Sequence, residues 1–91
     1  MLALITGASN GLGKDFAKEL SKQGYDLVLV ARSKDKLDKL SSELKTLVYV
    51  EVMDLSVKEN AYKLYSKYKG KIDLLINNAG FGTFGEFTKT D

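Results

Sequence analysis

The chain has 91 residues, 44% of them hydrophobic, and its 14 Lys and Arg against 12 Asp and Glu leave a formal net charge of +2. So small an excess, with the lysines spread along the chain, argues against nucleic acid as a partner. With no cysteine, disulfides and thiolate metal sites are excluded; with no histidine, the usual general base and the commonest metal ligand are missing too.

A chain of this length buries only roughly 60–65% of its unfolded surface, enough for one small domain or part of a larger one. Residues 1–91 are read as a single, partial domain. The apolar run at residues 1–5 is too short for a signal segment or a membrane span. Together with the lack of cysteine, this leads to the expectation of a cytoplasmic protein without membrane contacts.

In chain order, Leu2-Ala3-Leu4-Ile5 reads as a strand. Leu12, Phe16, Ala17 and Leu20 then recur at helical spacing, predicting a helix that packs on these residues and closes at Gly24. Leu27-Val28-Leu29-Val30 is a continuous apolar run, as in a strand buried on both faces. Ser33 can cap the next helix, whose inward stripe is Leu37, Leu40 and Leu44. Residues 47–53 form a third strand. Ser56-Val57-Lys58-Glu59 has the spacing of a capping box, with Ser56 as the cap of a helix carrying Ala61, Leu64, Tyr65 and Tyr68 on one face. Gly70 ends that helix, and residues 72–76 supply a fourth strand. The order β-α-β-α-β-α-β predicts an α/β fold, a doubly wound parallel sheet with right-handed crossovers and helices on both faces. No internal repeat, low-complexity segment or linker interrupts it. The stretch from Gly80 onward, FGTFGEFTKTD, reads as a glycine- and aromatic-rich loop.

The loop TGASNGLG, between the first strand and the first helix, falls at the carboxyl edge of such a sheet, where these folds bind ligands. Glycines there allow a tight turn and close approach to a pyrophosphate, and the first N–H groups of the helix point at the anion. No Asp or Glu stands between Thr6 and Lys14 to repel it. A Walker A loop fails on spacing, with Ala8 where glycine belongs and Asp15 where the hydroxyl belongs. The G-x-G-x-x-G fingerprint fails as well, since the glycines here run G-x-x-x-G-x-G.

The segment from Thr6 to Gly13 fits T-G-x-x-x-G-x-G and resembles the cofactor motif of the short-chain dehydrogenase/reductase family. Two further motifs of that family follow in order: Asp54-Leu55 after the third strand, and Asn77-Asn78-Ala79-Gly80 after the fourth. The resemblance covers the whole chain. It implies a Rossmann-type sheet of order 3-2-1-4, as the first half of a larger fold, with strand 4 as an unpaired edge. It also implies that Gly7, Gly11, Leu12 and Gly13 hold the pyrophosphate through their backbone, with Ser9 and Asn10 near the adenosine ribose. Asp54 would accept a hydrogen bond from the adenine amino group, and Leu55 would line the ring. Asn78, Ala79 and Gly80 would border the nicotinamide ribose. For Asp54 the alternative is helix-cap duty beside Ser56, and for Asn77 it is backbone hydrogen bonding at the strand end.

The end of strand 2 reads Val30-Ala31-Arg32-Ser33, with no carboxylate to bond a ribose 2′-OH. Arg32 instead offers a planar donor fork suited to a 2′-phosphate, which favours NADP(H) over NAD(H). The alternative is a solvated arginine. Asn10 stands where some NADP-using members carry a second basic residue.

The resemblance implies an oxidoreductase transferring hydride between a nicotinamide cofactor and a carbonyl or alcohol, acting as a homo-oligomer at full length. The family's chemistry is done by a Ser and a Y-x-x-x-K pair downstream of N-N-A-G, so no catalytic residue is assigned to this chain. The Y-x-x-x-K at Tyr65 to Lys69 precedes strand 4, with Tyr65 on the inward stripe of its helix, and reads as structural. Phe81, Phe84 and Phe87 read as core or interface residues rather than as the edge of a substrate pocket. A dinucleotide-binding module without turnover, and a truncated product without function, remain as alternatives.

Overall fold

The computed structural model describes residues 1–78. Its elements are β1 (Leu2–Thr6), α1 (Gly11–Lys22), β2 (Asp26–Ala31), α2 (Lys34–Ser42), β3 (Val48–Val52), α3 (Lys58–Tyr68) and β4 (Leu74–Asn77). The strands form one four-stranded sheet in the order β3-β2-β1-β4, and every pairing is parallel. This is the expected doubly wound α/β arrangement. β3 and β4 run a residue or two shorter than the apolar pattern suggests, with Leu47 exposed and Ile72 left outside its strand.

Alternation along the two central strands decides which helix covers which face. Ala3, Ile5, Leu27, Leu29 and Ala31 point to one side and pack with Ala17 and Leu20 of α1 and Leu37 and Leu40 of α2. Leu4, Val28 and Val30 point to the other and pack with Leu64 and Tyr68 of α3 and with Leu55 and Ile72. Both faces of β1 and β2 are therefore dry, which is why their sequences are unbroken apolar runs. Among the described residues β4 pairs only with β1, and Leu74, Leu75 and Ile76 are half-buried. No helix among the described residues is long and apolar enough to cross a membrane.

Two sequence expectations are corrected. α1 does not pack on Leu12 and Phe16, which are 66% and 41% exposed; its buried face is Gly13, Ala17, Leu20 and Ser21. The small residues lie inward because the first turn of α1 runs against the glycine loop, leaving no room for a large side chain. One residue earlier on the helix is about 100° around it, which turns Leu12 outward. Ser21 is buried with its hydroxyl paired to that of Thr46 at 2.9 Å.

The capping box is also not formed. Val57 is the N-cap of α3 and makes no side-chain cap, while Ser56 donates both its N–H and its hydroxyl to Asp54 Oδ1, at 2.9 and 2.7 Å. A local Asx-type bond competes successfully for the serine. Ser33 behaves as expected, its hydroxyl accepting from the Lys36 N–H at 3.4 Å to cap α2.

Candidate functional site: a cleft at the carboxyl edge of the sheet

All four strands end on the same side, and the residues following them enclose an open cleft of about 700 Å³. Gly7, Ser9 and Asn10 come after β1; Arg32, Ser33 and Lys36 after β2; Asp54, Leu55 and Ser56 after β3; and Asn78 after β4. Val30, Ala31 and Met53 complete the wall at the strand ends.

The first loop is shaped for close approach. Gly7 and Gly11 adopt positive φ, 63° and 26°, which a side chain would resist. Gly13 is needed for a different reason. A Cβ there would stand 2.3 Å from the Gly7 carbonyl oxygen and 3.0 Å from both Ala8 Cα and Asn78 Nδ2. The helix start is thus pressed onto the loop, and the Asn78 amide donates to Gly7 O at 3.3 Å, joining β4 to the same loop. One residue earlier, Thr6 donates its hydroxyl to Asn77 Oδ1 at 2.9 Å. This is a bond between side chains; the backbone of Asn77 also closes the β1–β4 ladder opposite Thr6, at the strand end considered for it.

The two helix starts that border the cleft are unlike. α2 is capped by Ser33 and carries Asp35 in its first turn. α1 begins after Asn10 with no side-chain cap and no acid in its first turn. Its leading N–H groups are left for an anion, with the positive end of the helix dipole behind them.

Asp54 sits across from Arg32. The Ser56 hydroxyl and then the Ser56 N–H, both bonded to its carboxylate, hold its pKa below the usual value, and the charge of Arg32 adds a smaller push in the same direction against partial burial. The bonding to Ser56 is an Asx-type turn ahead of α3 and not the helix cap considered for Asp54, since Val57 is the N-cap. It engages Oδ1, so the carboxylate keeps acceptor capacity on its other oxygen.

Of the residues singled out in the sequence, Gly7, Ser9, Asn10, Arg32, Asp54, Leu55 and Asn78 line the cleft together. Gly11, Leu12 and Gly13 stand beside it at the start of α1 rather than in its wall. Ala79, Gly80 and Phe81, Phe84 and Phe87 lie outside the described residues. Sequence reasoning missed Lys36, Ser33, Met53 and Ser56 as lining residues. The one available signal for Lys36 was its place in the first helical turn beyond Arg32.

The Y-x-x-x-K on α3 is not part of the cleft. Tyr65 packs against the core, with Lys69 Nζ 5.6 Å from its ring centroid. Its neighbour Tyr68 is buried and donates to Glu51 Oε2 at 2.5 Å, and Lys67 pairs with the same carboxylate at 2.7 Å. Burial first, then the Glu51 carboxylate, push the Tyr68 phenol well above its normal pKa. This is a clasp between α3 and β3.

The profile of the family described as short chain dehydrogenase matches residues 1–91. Among curated relatives, the human very-long-chain 3-oxoacyl-CoA reductase is 42% identical over 83 residues, spanning 86% of this chain and 27% of that protein. The Aspergillus terreus protein of the same name is 44% identical over 86 residues, spanning 86% and 24%. This chain therefore spans about a quarter of the length of these two relatives. Among solved structures, a short-chain dehydrogenase from Sphingobium yanoikuyae in complex with NADPH superposes with a TM-score of 0.78 at 37% identity, covering 92% of this chain and 35% of that one. A bulky-bulky ketone specific alcohol dehydrogenase from Comamonas testosteroni does so with 0.77 at 37%, covering 92% and 37%. A glycine loop pressed onto an uncapped helix, and an asparagine tying it to the fourth strand, are thus met by likeness in sequence and in fold, and the chain belongs to the short-chain dehydrogenase family of oxidoreductases.

Proposed function

We propose that this chain is the NADP(H)-binding part of an oxidoreductase that interconverts a carbonyl and an alcohol. The observation that carries the cofactor choice is Arg32: it lines the cleft directly after β2, where an NAD-selective site would place a carboxylate. When bound, the dinucleotide supplies the hydride donor or acceptor. The residues of this chain bind and orient it. The uncapped N–H groups of α1 and the backbone of Gly7, Gly11 and Gly13 receive the pyrophosphate. Asp54 and Leu55 recognise the adenine, and Ser9 and Asn10 border its ribose. Asn78, tied to the loop through Gly7 O, borders the nicotinamide ribose. The role proposed for these residues is to bind and orient the cofactor, and none of them is assigned a proton-transfer step. The curated very-long-chain 3-oxoacyl-CoA reductases make a 3-oxoacyl thioester the first carbonyl to assay.

Titration calorimetry with NADP+ and NAD+ tests the cofactor choice. A charge-assisted contact to phosphate contributes roughly 1.5–3 kcal/mol, so Arg32→Gln weakens NADP+ about ten- to a hundredfold and leaves NAD+ nearly unchanged. Equal affinity of the wild-type protein for the two dinucleotides would overturn the reading.

A further inference from the structure

We propose that Lys36 is a second cation for the ribose 2′-phosphate, so that the phosphate is held between Lys36 and Arg32 rather than by Arg32 alone. The proposal rests on the NADP(H) reading above and adds to it a specificity-determining residue. Among the described residues three charged side chains line the cleft: Arg32, Lys36 and Asp54. A phosphate monoester carries about −1.5 to −2 charge near neutral pH. Asp54 adds a full negative charge to the same wall, since its pKa is lowered further. Arg32 by itself would leave that corner strongly negative once the phosphate enters. Lys36 removes one unit of that excess, about half of it or more.

The two lysines at the start of α2 show which one is available. Lys34 is engaged by Asp38, its Nζ 2.6 Å from Oδ2, and it does not line the cleft. Lys36 makes no ion pair among the described residues and does line it. Its backbone N–H is bonded to the Ser33 hydroxyl, so the turn from which its side chain springs is pinned while the ammonium stays free to reach the ligand. Arg32 supplies a directional fork and Lys36 a mobile point charge, a complementary pair of phosphate ligands.

The test measures NADP+ and NAD+ affinity by calorimetry for the wild-type protein and for Lys36→Gln, Arg32→Gln and Lys34→Gln, at two ionic strengths. Lys36→Gln is expected to weaken NADP+ roughly five- to tenfold, to change NAD+ less than about twofold, and to flatten the salt dependence of NADP+ binding. Lys34→Gln is expected to leave the NADP+/NAD+ ratio unchanged. Thermal melting of Lys36→Gln should match wild type, because the capping contact uses the backbone. Unchanged NADP+ affinity in Lys36→Gln, or equal loss of both nucleotides, overturns the role of Lys36. If Arg32→Gln still lowers NADP+ selectively in that case, the cofactor reading survives without it. A wild-type protein that does not prefer NADP+ overturns both.

Discussion

Replacing Gly13 with alanine tests the construction of the site at its tightest point. On a helix surface the change would be favourable, since alanine is better than glycine in helices by about 1 kcal/mol. Here the added Cβ meets the Gly7 carbonyl oxygen at 2.3 Å, a backbone atom that no rotamer change can remove. To reach even 3.0 Å the contact must open by about 0.7 Å, by moving either α1 or the loop. Gly7 O also accepts from Asn78 Nδ2, and that amide nitrogen is itself 3.0 Å from the new methyl, so the tie to β4 is strained from both ends. Overpacking of this kind costs about 1–3 kcal/mol against a gain of about 1 kcal/mol in helix propensity, a net loss of up to about 2 kcal/mol. Dinucleotide affinity should fall at least about fivefold, because the displaced loop is the one whose amides face the pyrophosphate. Urea denaturation measures the first quantity and calorimetry the second. Gly24→Ala is the control: its φ of 93° makes alanine strained, yet nothing lies within 4 Å of the new Cβ, so stability falls while affinity does not. A Gly13→Ala protein as stable and as tight-binding as wild type would refute the close-approach argument.

Other outcomes follow from the same structure. Tyr68→Phe removes the 2.5 Å hydrogen bond to Glu51 while leaving Lys67 on that carboxylate, and should lower stability by about 1–2 kcal/mol in urea denaturation. No change would mean that the clasp between α3 and β3 contributes nothing. Asp54 has a depressed folded-state pKa, so its contribution to stability is present above the ordinary value of 3.8 and is lost as pH falls below it. The stability difference between wild type and Asp54→Asn should therefore shrink as denaturation is followed from neutral to acidic pH. A difference that is constant through that window would contradict the Ser56 contacts as the cause.

Much of this protein was legible in the order of its residues. Unbroken apolar runs such as Leu27-Val28-Leu29-Val30 declare strands covered on both faces. The periodic leucines of α2 declare a helix, and Gly24 and Gly70, both at positive φ, mark the ends of α1 and α3. These features are local, set by side-chain period and backbone sterics within a few residues. The glycine loop, Arg32, Asp54 and Asn78 were likewise found as motifs, and the parallel crossovers then bring their strand ends to one edge. What tertiary structure alone decided is partnership across long stretches of chain. It turned Leu12 and Phe16 outward because the loop crowds the start of α1. Lys36 entered the cleft while Lys34, two residues away, was drawn to Asp38. Thr6 met Asn77, and Gly7 met Asn78, across 71 positions. Periodicity cannot encode such contacts, because they depend on the strand order β3-β2-β1-β4, which places β4 beside β1.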